Sequence, residues 1–129
     1  MALRAFAAHP RYCKTGEVIH AGELLKSRLF KSDRYPDRKG AEYWFKFTYP
    51  FQFTNLLTSL DSLGRMGFSA DDPDVARAIL WFRDKQKPDG SFALTMCRGI
   101  GDKRLPLWIG LALCRALLRF RAGRRLEVC

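Results

Sequence analysis

Apolar residues recur every three or four positions in five separate stretches of the chain. This spacing puts them on one face of an α-helix, as in helices that pack against a core. It predicts five helices, over residues 3–8, 15–29, 51–67, 73–86 and 106–120. We therefore expect an all-α protein built from antiparallel helical hairpins, in a single domain over residues 1–129.

Residues that start and stop helices support these bounds. Asp72 followed by Pro73 predicts the start of the fourth helix, because the aspartate can cap the first turn and the proline there loses no hydrogen bond. Gly67 is the predicted C-cap of the third helix. After the fourth helix, residues 87–90, which include Pro88 and Gly90, predict a turn.

An aromatic-rich connector, residues 32–50, is expected between the second and third helices. Aromatic residues occupy every second position from 43 to 53, and in an extended chain this puts six rings on one side. The rings could line an apolar pocket or fill the core, and we favour the core while keeping the pocket as a candidate site. The candidate pocket residues are Tyr43, Phe45, Phe47, Tyr49, Phe51 and Phe53.

Apolar positions of the first two helices recur 57 residues further along the chain. Leu3 matches Leu60 in this way, and Val18 matches Val75. Because the offset stays constant across the intervening loop, it favours a repeated helical hairpin that buries its apolar face against its neighbour.

The run from Gln86 to Phe92, with Gly90 between them, resembles the Q-x-x-x-G-x-W motif of the squalene cyclase and protein prenyltransferase α/α toroid family. Phe92 stands where that family usually has tryptophan. The resemblance covers residues 43–120 well and residues 1–31 more loosely. It implies a partial α/α toroid, an arc of hairpins, because the chain offers fewer helices than the closed ring of the family.

The three motif residues have a structural role in this interpretation. The glutamine at a helix end can bond unpaired backbone groups, the glycine permits the reversal of the chain, and the aromatic ring covers the joint. The catalytic patterns of the family are incomplete here: residues 69–72 lack the first aspartate of D-x-D-D, and residues 71–75 lack the last aspartate of D-D-x-x-D. The sequence also contains no D-x-C zinc string. It therefore predicts no catalytic residue, no metal site and no cofactor.

Lysine and arginine number 23 against 13 aspartate and glutamate residues, a formal net charge of +10. Such a chain attracts anionic surfaces at low salt. The basic residues are spread along the chain, and they are dense only from Arg119 to Arg125, which overlaps an expected basic tail over residues 121–129. We favour solvated helix faces for most of them, and nucleic acid or an acidic membrane surface stays open as an alternative partner.

Cellular location is expected to be cytoplasmic. The four cysteines form no C-x-x-C pair, which favours free thiols in a reducing compartment. No signal-peptide pattern follows the N-terminus, and the apolar stretch Leu105–Leu118 contains Pro106 and Arg115 and is too short to span a bilayer.

These observations predict a non-catalytic binding protein that holds an apolar small molecule or a protein partner on its concave aromatic side. One alternative is a fragment or subunit of a terpene cyclase or prenyltransferase-type enzyme, and another is a basic nucleic-acid or membrane-surface binder. An incomplete arc leaves apolar faces without neighbours, for example Leu3 with Phe6, or Ile109 with Leu113. We therefore expect a homo-oligomer.

Overall fold

A computed structural model describes residues 2–35, 39–51, 53–97 and 103–122. Within these ranges the chain forms five α-helices and one 3-10 helix, and its only β-type pairings are isolated bridges between Phe47 and Met96 and between Gln86 and Phe92. The all-α fold with five helices is confirmed. The elements are α1 (Ala2–Ala8), α2 (Gly16–Arg28), the 3-10 helix (Ala41–Phe45), α3 (Leu56–Arg65), α4 (Pro73–Asp84) and α5 (Leu105–Ala122).

Helix α3 is the centre of the molecule, because it packs against each of the other four α-helices. All residues from Leu56 to Leu63 are buried. Burial of each leucine in this run stabilises the fold by about 1.5–3 kcal/mol. Helix α1 also lies beside α3, and α2 lies beside α4; these are the two pairs of helices that the 57-residue offset relates in the sequence.

The third helix begins at Leu56, so the sequence-based start at residue 51 is wrong. The reason is a capping box at Asn55, which the apolar spacing does not reveal. The backbone N–H of Thr58 donates to Asn55 Oδ1 at 3.0 Å, and the backbone N–H of Asn55 donates to Thr58 Oγ1 at 2.9 Å. Asn55 Nδ2 also donates to the carbonyl of Lys46 at 3.1 Å, which fixes the connector to the start of α3.

The same helix ends at Arg65, two residues before the predicted C-cap. Gly67 adopts a φ of +85°, the left-handed conformation that terminates many helices. The backbone N–H of Phe68 then reaches back to the carbonyl of Leu63 at 3.1 Å. Gly67 therefore acts just after the last helical turn, where it reverses the chain toward α4.

Helix α4 starts at Pro73 as the sequence predicts, and Asp72 caps it. Asp72 Oδ1 accepts hydrogen bonds from the backbone N–H groups of Asp74 and Val75, while Oδ2 accepts one from Lys26 Nζ at 2.6 Å. Burial raises the pKa of Asp72, but the Lys26 hydrogen bond and the two backbone amides outweigh it and leave the pKa below its usual value. The carboxylate therefore joins α2 to α4. Helix α4 ends at Asp84, two residues before the expected end. The chain that follows forms a turn instead, in which the Lys85 carbonyl accepts from the Ala93 N–H and the Lys87 N–H donates to the Ser91 carbonyl.

Helix α5 lies close against α3. Its buried residues Leu105, Ile109, Leu113, Ala116 and Phe120 recur at three and four positions and form the face that the sequence predicts. The approach is tight at Gly64, where an added Cβ would lie 3.2 Å from the Arg119 Cβ and 3.2 Å from the ring of Phe120.

Replacement of Asn55 by alanine should lower the free energy of unfolding by about 1–2 kcal/mol, because the first turn of α3 loses its cap. Equilibrium urea denaturation measures this loss. Thr15→Ala is the matched control, since Thr15 is the N-cap of α2 but its side chain makes no capping hydrogen bond. The control should stay within about 0.5 kcal/mol of the wild type. Equal losses in the two variants would contradict the role of Asn55.

Candidate functional site: an arginine-rich cleft

The aromatic row does not lie on one side of an extended segment, and that sequence-based premise is wrong. Residues 41–45 form a 3-10 helix, which turns successive side chains in different directions. Trp44, between two members of the row, takes the core position: it is 2% exposed, and its indole N–H donates to the carbonyl of Lys31 at 2.8 Å. Tyr43 Oη donates to the same carbonyl at 3.2 Å. The row therefore divides into groups with different surroundings.

The first group, Phe45 and Phe47, packs against α4. Phe45 stacks on Trp81 with 4.8 Å between ring centroids, and Phe47 lies 5.8 Å from the ring of Phe82. Phe47 is fully buried, whereas Phe45 is half-buried. The structure therefore places Phe47 in the core.

The second group, Tyr49 and Phe51, faces α1 and α5. Tyr49 stacks on Trp108 with a centroid separation of 5.5 Å and an angle of 10° between the rings. Phe51 meets Tyr49 edge to face at 5.4 Å, and the guanidinium of Arg4 lies 4.5 Å from the centroid of Phe51. The sixth ring, Phe53, is half-buried.

Tyr49 and Phe51 form one wall of a cleft of about 400 Å³. Helices α1, α3 and α5 supply the other walls and bring four arginines together. Together with one aspartate, they give the described residues that line the cleft a formal charge of +3. The charged residues and Trp108 lining it are Arg4, Asp61, Arg65, Trp108, Arg115 and Arg119.

Asp61 holds three of these arginines in place from the middle of α3. Arg65 Nε donates to Asp61 Oδ2 at 3.0 Å, and Arg119 Nε donates to Oδ1 at 3.1 Å. Arg4 Nε lies 3.8 Å from Oδ2. The Asp61 side chain is only 12% exposed, so the charge pairing fixes three guanidinium groups around a nearly buried carboxylate.

This arrangement suits a ligand with several negative charges. The hydrogen bonds of Arg65 and Arg119 to Asp61 use Nε, and the planar guanidinium carries further N–H donors on its two Nη atoms. Such donors match the oxygens of a phosphate or carboxylate. Because the side chains are held in one conformation before a ligand arrives, less conformational entropy is lost on binding.

The turn-motif residues meet at the end of α4. Gln86 Nε2 donates to the carbonyl of Gly90 at 3.3 Å, and Gly90 has a φ of +83°. Phe92 is half-buried. It contributes to an apolar groove of about 530 Å³ between α4 and α5, which Ile79 and Leu117 also line.

The remaining sequence candidates lie elsewhere or outside the described residues. In the described part of the chain, no three His, Cys, Asp or Glu side chains gather where they could hold a metal ion. None of the helices described combines the length and apolar content that crossing a membrane requires. Arg124 and Arg125 of the expected basic tail fall outside the described ranges.

The arginine cluster was not predicted as a site. Two local signals point toward it: Asp61 precedes Arg65 by four residues, and Arg115 precedes Arg119 by four. Residues at this spacing are neighbours on a helix surface. The contacts that join α1, α3 and α5 are not visible in these local patterns.

Phe47→Ala should lower the free energy of unfolding by about 3–5 kcal/mol, because it empties a fully buried ring site. Tyr49→Ala should cost about 1 kcal/mol, since the ring is 38% exposed and loses mainly its stacking on Trp108. Thermal or urea unfolding of the two variants provides the measurement. Similar losses for both would show that the row acts as one unit.

A scan against protein-family models and searches of curated proteins and of solved structures find no match to this chain. The resemblance to the squalene cyclase and prenyltransferase family therefore stays a prediction from the residues between Gln86 and Phe92. A functional conclusion for this protein must come from the chemistry of its own site.

Proposed function

We propose that this protein binds a phosphate-bearing ligand in the cleft between α1, α3 and α5. The observation that carries the proposal is the sharing of one carboxylate, Asp61, by three guanidinium groups. One arginine is enough to neutralise one carboxylate. The further positive charge is therefore available to an anion.

The number of arginines favours a ligand with more than one negative charge. A single carboxylate would leave much of the +3 charge of the cleft unbalanced, whereas a phosphate chain or a polyphosphate balances it. The side chains of Arg4, Arg65 and Arg119 are 31%, 28% and 29% exposed. Their partial removal from water strengthens charge-assisted hydrogen bonds to the ligand. The net charge of +10 on the whole chain adds attraction at longer range.

Arg115→Gln should weaken the binding of inorganic tripolyphosphate about tenfold or more, because it removes a cleft guanidinium, and a charge-assisted hydrogen bond is worth about 1.5–3 kcal/mol. Arg115 is exposed and lines the cleft, so the fold should tolerate the change. Isothermal titration calorimetry at low salt measures the affinity.

Arg77→Gln is the matched control for charge. Arg77 is exposed on α4, which does not line the cleft, and its guanidinium lies over the ring of Phe30. It should bind tripolyphosphate as the wild type does. Equal weakening by the two substitutions would mean that binding depends on overall charge and would overturn the proposal.

A second candidate function is the binding of an apolar small molecule or of the apolar face of a protein partner. The groove between α4 and α5 supports it, because most of its lining is apolar. None of the six rings of the predicted aromatic row lines this groove. The incomplete toroid, the enzyme-fragment alternative and self-association also stay predictions. The expectation that Ile109 and Leu113 lack neighbours is wrong, because both are fully buried. The exposed side chains of Leu107 and Leu111 on α5 support self-association instead.

The neutral dye Nile red should bind the protein in this groove with little dependence on salt, because apolar contacts are not screened. Leu118→Ser should reduce its fluorescence enhancement, since Leu118 lines the groove. Leu107→Ser is the control on the same helix: Leu107 is 71% exposed and does not line the groove. Equal reductions would assign the dye to exposed apolar surface in general.

A further inference from the structure

We infer that the phosphate-bearing ligand is a single-stranded nucleic acid, whose bases stack on the Trp108 and Tyr49 rings while its phosphates follow the arginines of the cleft. This inference rests on the proposed function of the same site. It adds the class of ligand, which the charges alone do not specify.

The rings and the cations of the cleft form one continuous surface. Trp108 stacks on Tyr49, Tyr49 contacts Phe51, and the guanidinium of Arg4 lies over Phe51. Arg4 in turn lies 3.8 Å from the carboxylate of Asp61 that holds the other arginines. A ligand that reaches from one end to the other meets aromatic faces first and guanidinium groups next.

The aromatic end is accessible to a flat ligand. Trp108 is 41% exposed and Tyr49 is 38% exposed, although the two rings stack on each other. Unpaired bases stack on exposed aromatic side chains in many single-strand binding proteins, and any base can do so because each has a π face. In a duplex the base faces are already stacked on their neighbours. Only the end base pairs of a double strand could therefore stack on Trp108 and Tyr49.

The spacing along α5 favours an oligomer over a single nucleotide. Arg115 follows Trp108 by seven residues and Arg119 follows it by eleven, so the three side chains project from the same side of the helix. At about 1.5 Å per residue, Trp108 and Arg119 are about 16 Å apart along the axis. A stacked strand advances about 3.4 Å per nucleotide, so about five nucleotides cover this length.

An acidic membrane surface fits the site less well. Arg65 and Arg119 lie within a cleft, with their Nε atoms bonded to the nearly buried Asp61. A flat lipid surface meets exposed cations on a convex face more easily than recessed ones. A single strand can enter the cleft because its backbone is narrow and flexible.

Fluorescence anisotropy of the intact protein with two labelled ten-nucleotide strands tests this inference. One strand is oligothymidine and the other is an abasic strand with the same number of phosphates. We expect oligothymidine to bind about 5- to 150-fold more tightly, the range that stacking of one base contributes. Arg115→Gln should weaken both strands, and Arg77→Gln neither.

Substitutions of Trp108 separate stacking from charge. Trp108→Ala should remove most of the advantage of oligothymidine over the abasic strand, because only the Tyr49 ring remains, and should leave the abasic strand unchanged, whereas Trp108→Phe should restore most of the difference. Circular dichroism establishes that each variant is folded. If Trp108→Ala is unfolded, the comparison of the two strands on the wild-type protein still decides the question.

The other outcomes show whether this inference alone fails or the proposed function fails with it. Equal affinity for the two strands, both dependent on Arg115, would overturn the nucleic-acid inference and keep the phosphate site. Binding of neither strand and no tripolyphosphate binding would overturn both. Tighter binding to a ten-base-pair duplex, or to phosphatidylserine vesicles, than to oligothymidine would also overturn the single-strand inference.

Discussion

The pairing of Asp61 with arginines from three helices is the interaction on which this structure depends. Asp61 lies in the middle of α3, the helix that every other α-helix contacts, and its side chain is 12% exposed. A carboxylate in such a position is destabilising by several kcal/mol unless cations and hydrogen bonds compensate it. Arg65 comes from α3 itself, Arg4 from α1 and Arg119 from α5. The charge pairing therefore requires the same packing of α1 and α5 on α3 that the leucine side chains produce.

Three guanidinium groups carry more positive charge than the single Asp61 carboxylate balances. In the function that we propose, this excess charge binds an anion. Three guanidinium groups close together repel one another, so only part of the charge is offset within the folded chain. An anion that binds the folded state but not the unfolded chain relieves this repulsion and stabilises the fold. A cluster built for stability alone would need a single arginine beside Asp61. The start of α3 also helps to position the aromatic wall of the cleft. Asn55 Nδ2 donates to the carbonyl of Lys46 and so holds the segment that leads to Tyr49 and Phe51.

The helices can be predicted from the sequence, whereas the arginine-rich cleft cannot, and the reason is physical. Helical periodicity and the Asp72–Pro73 signal are local, so they predict α4 to within two residues of its end. The start of α3 depends on the capping box between Asn55 and Thr58, and the 3-10 helix depends on the bond from Trp44 to Lys31, thirteen residues away. Neither contact has a periodic signature. The site is less local still: Asp61 and Arg119 are 58 residues apart, and only the packing of α5 on α3 through Gly64 brings them together.

The basic residues and the aromatic rings differ in what they can bind. Exposed lysines and arginines across the surface attract any polyanion, and that attraction weakens as salt displaces it. Contacts to phosphates position a nucleic acid without distinguishing one base from another. In the complex that we propose, the stacked pair of Trp108 and Tyr49 adds what the charges lack, because a base can stack on these rings and a free phosphate chain cannot. Because the rings and the arginines meet through Phe51 and Arg4, a ligand that carries both chemistries gains from both ends of one cleft.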